Sequence, residues 1–255
     1  MEIRVLGCHG SQFPGYNTTS FLLNRKILID AGTVTSVLID KEQANIDHIL
    51  VTHAHLDHVR DIMFLADNIC YYEKDRPLDI ISTSNIVNAL KTCLFNDIIW
   101  PDFGSKPHPE RPILKFEVIE PGQIIRLEDL QIRAVKVHHI VETVAYIIES
   151  GKGSVIFLGD TGPTDEVWKI ANDLADLKAI FIETSLPDSL KDVAEMTGHL
   201  TPSILEEELK KLQAQKTDIY LYHMKRQHQK SIQEEIASLK NPNIHILEDG
   251  QIIRI

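Results

Sequence analysis

A chain of 255 residues with 43% hydrophobic and 25% charged side chains is long and apolar enough to bury a sizeable core, which excludes a disordered or fibrous polymer. No window approaches the roughly 20 apolar residues that cross a bilayer, and a formal net charge of −11 argues against a broad grip on a polynucleotide backbone. Three scattered cysteines, Cys8, Cys70 and Cys93, make neither a disulfide framework nor a paired-cysteine zinc site; they read as reduced thiols, with Cys70 and Cys93 expected in the core.

The chain enters at once on an alternating, strand-like run, Ile3 to Leu6, without the pattern of a cleavable leader, so a cytoplasmic location is the expectation. Strands are then predicted over Thr19 to Leu23, Lys26 to Ile29, Ile49 to Val51 and Asp79 to Ser82. The second half continues with Leu114 to Ile119, Gln131 to Val137, Val144 to Ile148, Ser154 to Leu158 and Ala179 to Ile182. A helix is predicted over Ser203 to Gln213, with Thr201-Pro202 as its start signal. Ile219 to Tyr222 is a strand, Gln229 to Leu239 an amphipathic helix stopped by Asn241-Pro242, and Ile244 to Leu247 the last strand. With no repeat, low-complexity segment or linker, this pattern predicts one domain over 1–255. Its class is α/β, two packed sheets with helices outside, a four-layer αββα sandwich.

Thr52-His53-Ala54-His55-Leu56-Asp57-His58 places three imidazoles and a carboxylate directly after an apolar strand. These donors suit zinc, and equally iron or manganese; His53 and His55 are spaced to converge on one ion, and Asp57 and His58 are free for a second. His139, Asp160, Glu183 and His223 also follow strands, so these strand ends imply one rim that fixes ligand geometry. Taken singly each is ordinary: Asp160 in Gly159-Asp160 is as readily a turn residue, and His223 among apolar neighbours a core side chain.

Through THAHLDH, His139, Gly159-Asp160-Thr161 and His223 the chain resembles the metallo-β-lactamase superfamily. Within it, the chain is most similar to the bacterial class II cyclic-nucleotide phosphodiesterases, a branch related to tRNase Z. That finer resemblance rests on Thr18 to Leu22, Ile29-Asp30-Ala31-Gly32, Gly159 to Thr164, Glu183-Thr184-Ser185, Gly198 to Pro202 and Tyr222-His223-Met224-Lys225. One departure is Arg226, where the family commonly has Pro. The resemblance implies two divalent ions, with zinc favoured. His53, His55 and His139 would hold one, Asp57, His58 and His223 the other, and Asp160 both. His139 is preferred to His138 by its spacing to Val144-Ala145-Tyr146, and Asp30 would orient a ligand imidazole.

The resulting expectation is a dinuclear phosphodiesterase that opens 3′,5′-cyclic nucleotides, cAMP or cGMP, to 5′-monophosphates by attack of a metal-bridging hydroxide. Asp57 would aim the nucleophile, and His199, held by Glu183, would protonate the leaving oxygen. Trp100 and Phe103 offer rings that stack on a nucleobase, or else cover the core. The expected partner is a small cyclic nucleotide, with a homodimer implied by resemblance and neither a membrane nor a long nucleic acid expected. Alternatives are a nuclease or cyclic-dinucleotide hydrolase of the same fold, and a low-turnover metal-bound sensor.

Overall fold

The computed structural model describes residues 1–72, 76–213 and 216–255. No helix among these described residues is long and apolar enough to cross a membrane. The first half runs β1 (Glu2–Gly7), β2 (Ser20–Leu23), β3 (Ile27–Ile29), α1 (Asp40–Ala44), β4 (His48–Leu50), α2 (Leu56–Ile69), β5 (Leu78–Ser82) and α3 (Ser84–Cys93). A short hairpin, β6 (Pro107–His108) and β7 (Arg111–Pro112), precedes β8 (Leu114–Val118). Then come β9 (Ile124–Leu127), β10 (Leu130–Val137), β11 (Thr143–Ser150), β12 (Gly153–Phe157), α4 (Glu166–Asp173) and β13 (Leu177–Glu183). The chain closes with α5 (Lys191–Thr197), α6 (Pro202–Leu209), β14 (Asp218–Tyr222), α7 (Gln229–Ser238), β15 (Ile244–Ile246) and β16 (Ile252–Arg254).

Among the described residues the strands form two 7-stranded sheets, ordered β16-β1-β2-β3-β4-β5-β8 and β15-β14-β13-β12-β11-β10-β9. The period of two along each strand builds the layers. In the second sheet Ile132, Ala134, Val144, Tyr146, Val155, Phe157, Ala179 and Phe181 join the core shared with the first sheet. Their neighbours Val135, Ala145, Ile147, Ile156, Ile180 and Ile182 pack instead with Trp168 of α4, Ala194 of α5, Leu205 of α6 and Ile232 of α7. The first sheet is covered by α2 and α3 through Val59, Ile62, Leu65, Ile86 and Leu90. These are the expected four layers. Phe21 locks the sheets, its ring 5.2 Å from Phe157 and 5.3 Å from Tyr222.

Strands β3, β4, β5 and β8 run parallel, as do β12 to β15. Parallel strands bring their carboxyl ends to one edge, where a ligand crevice forms. Two bonds hold the sheets in register at that edge: Tyr146 Oη donates to Val51 O at 2.8 Å, and Val144 N to Thr52 O at 3.0 Å.

Some expectations need correction. The helix predicted over Ser203 to Gln213 is α6, which ends at Leu209, because Lys211 N and Leu212 N bond three residues back and tighten the chain into a turn. Cys93 is exposed at the end of α3 and Cys70 half-buried just past α2; Cys8 is the buried thiol. The helices α1 to α5 and the strands β9 and β16 are additions to the sequence reading.

Candidate metal centre

The motif after β4 is half loop and half helix. His55 is the extended N-cap of α2, and Asp57 and His58 lie in that helix's first turn. Gly32 makes this possible: a Cβ there would sit 1.9 Å from Asp57 O, so only glycine lets the loop after β3 pass under the helix start. Asp30, just past β3, then accepts from Thr52 N at 2.7 Å and Thr52 Oγ1 at 2.8 Å while pairing with His58 Nδ1 at 2.7 Å.

His58, His139 and His223 are each tied by one nitrogen and offer the other. His58 is held by Asp30, His139 Nδ1 donates to Gly198 O at 2.8 Å, and His223 Nδ1 donates to Ser185 Oγ at 2.8 Å. The remaining nitrogens converge: His53 Nε2 lies 3.1 Å from His55 Nδ1, which is 3.5 Å from His139 Nε2. On the other side His58 Nε2 and His223 Nε2 are 3.2 Å apart, and Asp57 Oδ2 is 3.2 Å from His223 Nε2. Asp160 lies between the groups, 3.7 Å from His53 Nε2, 3.4 Å from His58 Nε2 and 3.3 Å from His223 Nε2. His139 and not His138 is the member of this cluster.

Two observations fit this pocket to cations. Zinc bound at about 2.0–2.2 Å by nitrogen and oxygen sets tetrahedral donors about 3.3 Å apart, close to the separations here. Asp160 Oδ1 is also buried without a hydrogen-bond partner, a costly state that a cation relieves. The charge states agree. Burial, with the neighbouring His58, holds His53 well below the usual imidazole range, and burial lowers His55 and His139 too, leaving neutral rings with free lone pairs. Burial pushes Asp57 and Asp160 up, but the facing His223 and His58 overcome it and keep both carboxyls below the ordinary range. For His58 burial works downward, and Asp160 and Asp30 together raise it well above the usual value, so a proton stands where a cation would replace it.

Beside the donors Glu183 and His199 form a close pair. Glu183 ends β13 fully buried, and His199 follows α5 through Gly198, whose φ of 66° turns the chain back toward the rim. His199 Nδ1 donates to Glu183 Oε1 at 2.6 Å; the carboxylate also accepts from Thr161 N, Leu200 N and Ser185 Oγ. Burial lowers the His199 imidazolium, yet Glu183, aided by Asp160, prevails and raises its pKa to about 9. The His199 ring centroid is 5.0 Å from that of His139 and 5.6 Å from that of His223.

Ser185 is the residue that sequence reasoning missed. Its hydroxyl lies 2.7 Å from Glu183 Oε2, 2.8 Å from His223 Nδ1 and 3.4 Å from His199 Nδ1, joining the Glu183–His199 pair to the His223 ring. Its place in Glu183-Thr184-Ser185, two residues past a strand end, was the available signal. The suggested stacking rings are placed otherwise. Phe103 is buried in the core at 8% exposure, and Trp100 packs on that core with its ring 5.3 Å from Phe64.

The chain is 28% identical over 184 residues to a probable 3′,5′-cyclic-nucleotide phosphodiesterase of Yersinia pestis, covering 66% of this chain and 52% of that protein. It is 30% identical over 194 residues to the ribonuclease Z of Clostridium acetobutylicum, covering 73% and 62%. The chain thus spans between about half and two thirds of the length of these curated relatives. The unliganded crystal structure of yeast PDE1 superposes with a TM-score of 0.84 at 20% identity, covering 100% of this chain and 99% of that one. A metallo-β-lactamase fold protein of Bacillus subtilis superposes at 0.78 with 16% identity, covering 99% and 98%. The fold is therefore the metallo-β-lactamase sandwich. Residues 35–253 match the model of the class-II cAMP phosphodiesterases, and the chain belongs to that family.

Proposed function

We propose that this chain is a hydrolase that opens 3′,5′-cyclic nucleotides, cyclic AMP or cyclic GMP, to nucleoside 5′-monophosphates at a centre of two divalent ions, zinc first. Manganese or iron would use the same donors. His53, His55 and His139 would hold one ion, Asp57, His58 and His223 the other, and Asp160 both. Such ions, when bound, draw charge from the phosphate and acidify water at neutral pH. We read the chain as one domain, since alternate residues of the same strands feed both cores.

The observation that carries the reading is the Glu183–His199 pair beside the donor cluster, at 2.6 Å. With Nδ1 committed to Glu183, the imidazolium has Nε2–H to give to the departing 3′ oxygen, which would otherwise leave as a costly alkoxide. Asp57, kept ionised against its burial by the facing His223 and His58, accepts a hydrogen bond from the attacking water and fixes its line of approach. Asp30 and Ser185 orient the donor rings, so little reorganisation remains for the reacting state.

The similarity to ribonuclease Z favours a second reading, cleavage of an RNA diester at the same centre. The net charge of −11 weighs against it. Both readings meet in one assay, with metal-free protein reconstituted with zinc, manganese or iron. It is then offered cyclic AMP, cyclic GMP, a cyclic dinucleotide, a precursor tRNA and bis-p-nitrophenyl phosphate. Turnover of a cyclic mononucleotide far above the generic diester supports the proposal; turnover of the RNA alone replaces it with the nuclease.

A further inference from the structure

Next to the His223 backbone stands another group of metal-type donors: Cys8 Sγ, His9 Nε2 and Asp249 Oδ1. Cys8 is 2% exposed and His9 8%. The sulfur lies 3.3 Å from the carboxylate oxygen and 3.9 Å from the imidazole nitrogen, and that nitrogen is 3.6 Å from the oxygen. Tetrahedral zinc, with bonds of about 2.3 Å to sulfur and about 2.0–2.1 Å to nitrogen or oxygen, sets its donors about 3.3–3.6 Å apart. The three atoms match one face of that tetrahedron to a few tenths of an ångström, while the His9 contacts are longer than an ordinary N–H···O hydrogen bond.

We propose that Cys8, His9 and Asp249 form an additional metal site, separate from the catalytic centre, for one thiophilic divalent cation, zinc by its donor chemistry. Its orienting shell is already in place. Asp249 Oδ1 accepts from Cys8 N at 3.1 Å and Oδ2 from Asn17 N at 2.9 Å, and the His9 ring packs edge-on against Tyr16 at 4.8 Å. A cavity of about 360 Å³ lined by His9, Tyr16, Gln229, Gln233, Glu248 and Asp249 opens beside two of the three donors. On binding, the Cys8 S–H bond breaks, its proton leaves to solvent and the thiolate lone pair forms the metal bond. Without the ion, burial and then the facing Asp249 carboxylate keep the thiol protonated, so Cys8 is no nucleophile.

The ion would clamp the end of β1 to the turn between β15 and β16, joining residues 241 apart in sequence. It would also steady the catalytic rim, because Cys8 O accepts from His223 N at 2.7 Å and Gly10 passes so close that a Cβ would lie 2.4 Å from His223 O. This site stands whether or not the phosphodiesterase reading holds.

Cobalt(II) in the metal-free full chain tests it, since the catalytic cluster has only nitrogen and oxygen donors and a thiolate-to-cobalt charge-transfer band reports a cysteine. The expected result is that band, with one ion per chain beyond the catalytic complement. Cys8→Ser should abolish the band and the extra ion, and His9→Gln should weaken cobalt binding tenfold or more. A Cys70→Ser/Cys93→Ser double variant and Asp57→Ala should both keep the band. Should Cys8→Ser not fold, wild type and the double variant decide. No band in the cobalt-loaded wild type, or a band lost with Cys70 and Cys93, overturns the proposal. A band without cyclic-nucleotide turnover supports this site while contradicting the proposed activity.

Discussion

The two sheets contribute to the centre in opposite ways. The first delivers His53, His55, Asp57 and His58 from one crossing between β4 and α2, so their spacing is fixed by a single turn of chain. The second delivers His139, Asp160, Glu183, His199 and His223 from the ends of separate strands or the loops that follow, and their positions depend on the register of the whole sheet. On the proposed reading the first rim holds ions and aims the water through Asp57, while the second holds ions and carries the Glu183–His199 pair. Local chain geometry thus suffices for a cluster of donors, whereas the proton-donating pair is assembled only by tertiary structure.

Substitutions should expose this division. The largest effect is expected for Asp160→Ala, which removes the carboxylate that faces His53, His58 and His223. Elemental analysis should find both ions lost and turnover down by several orders of magnitude. Retention of two ions would show that this residue does not join the halves. Gly32→Ala comes next: the added Cβ must push Asp57 away, and a displacement near 1 Å costs on the order of 10²-fold in rate. Metal loss should fall on the Asp57, His58 and His223 half, leaving about one ion per chain. Two ions with wild-type turnover would mean that the helix start yields freely.

Smaller effects sharpen the contrast. Asp30→Asn should weaken metal affinity by about 10–100-fold, the range for an orienting partner of a ligand, measured by competition with a chelator. Unchanged affinity would leave His58 oriented by packing alone. Glu183→Gln acts on the acid instead. The His199 imidazolium exists below its raised pKa and is lost as pH rises through it, so removing the neighbouring charge should move the alkaline limb of kcat to lower pH with both ions bound. A limb that stays in place would remove Glu183 from the acid's support.

What the sequence made legible follows the same division. The His53 to His58 motif announces itself because its donors are contiguous, and the layers follow from strand runs whose alternation the cores reproduce. Asp160 and His223 gain meaning only beside one another, which a single residue in a turn or an apolar run cannot convey. Ser185 carries no charge, and its place in Glu183-Thr184-Ser185 gives it no role, although three groups of the site lie within hydrogen-bond reach of it. Cys8 and Asp249 meet across 241 residues, so counting cysteine spacings could not pair them. The helix α2 was hidden because its first turn is the metal motif itself. For Phe103 the sequence left two fates open, stacking or core cover, and only packing decides for the core.

The central claim is that one set of residues holds the ions while His199 supplies the proton. Its most direct test is the hydrolysis of cyclic AMP by His199→Ala, with the bound metal counted in the same sample. The account predicts two ions retained and a rate reduced by about 10²–10⁴-fold, the usual contribution of a general acid. Loss of metal with an unchanged rate per remaining centre would contradict it.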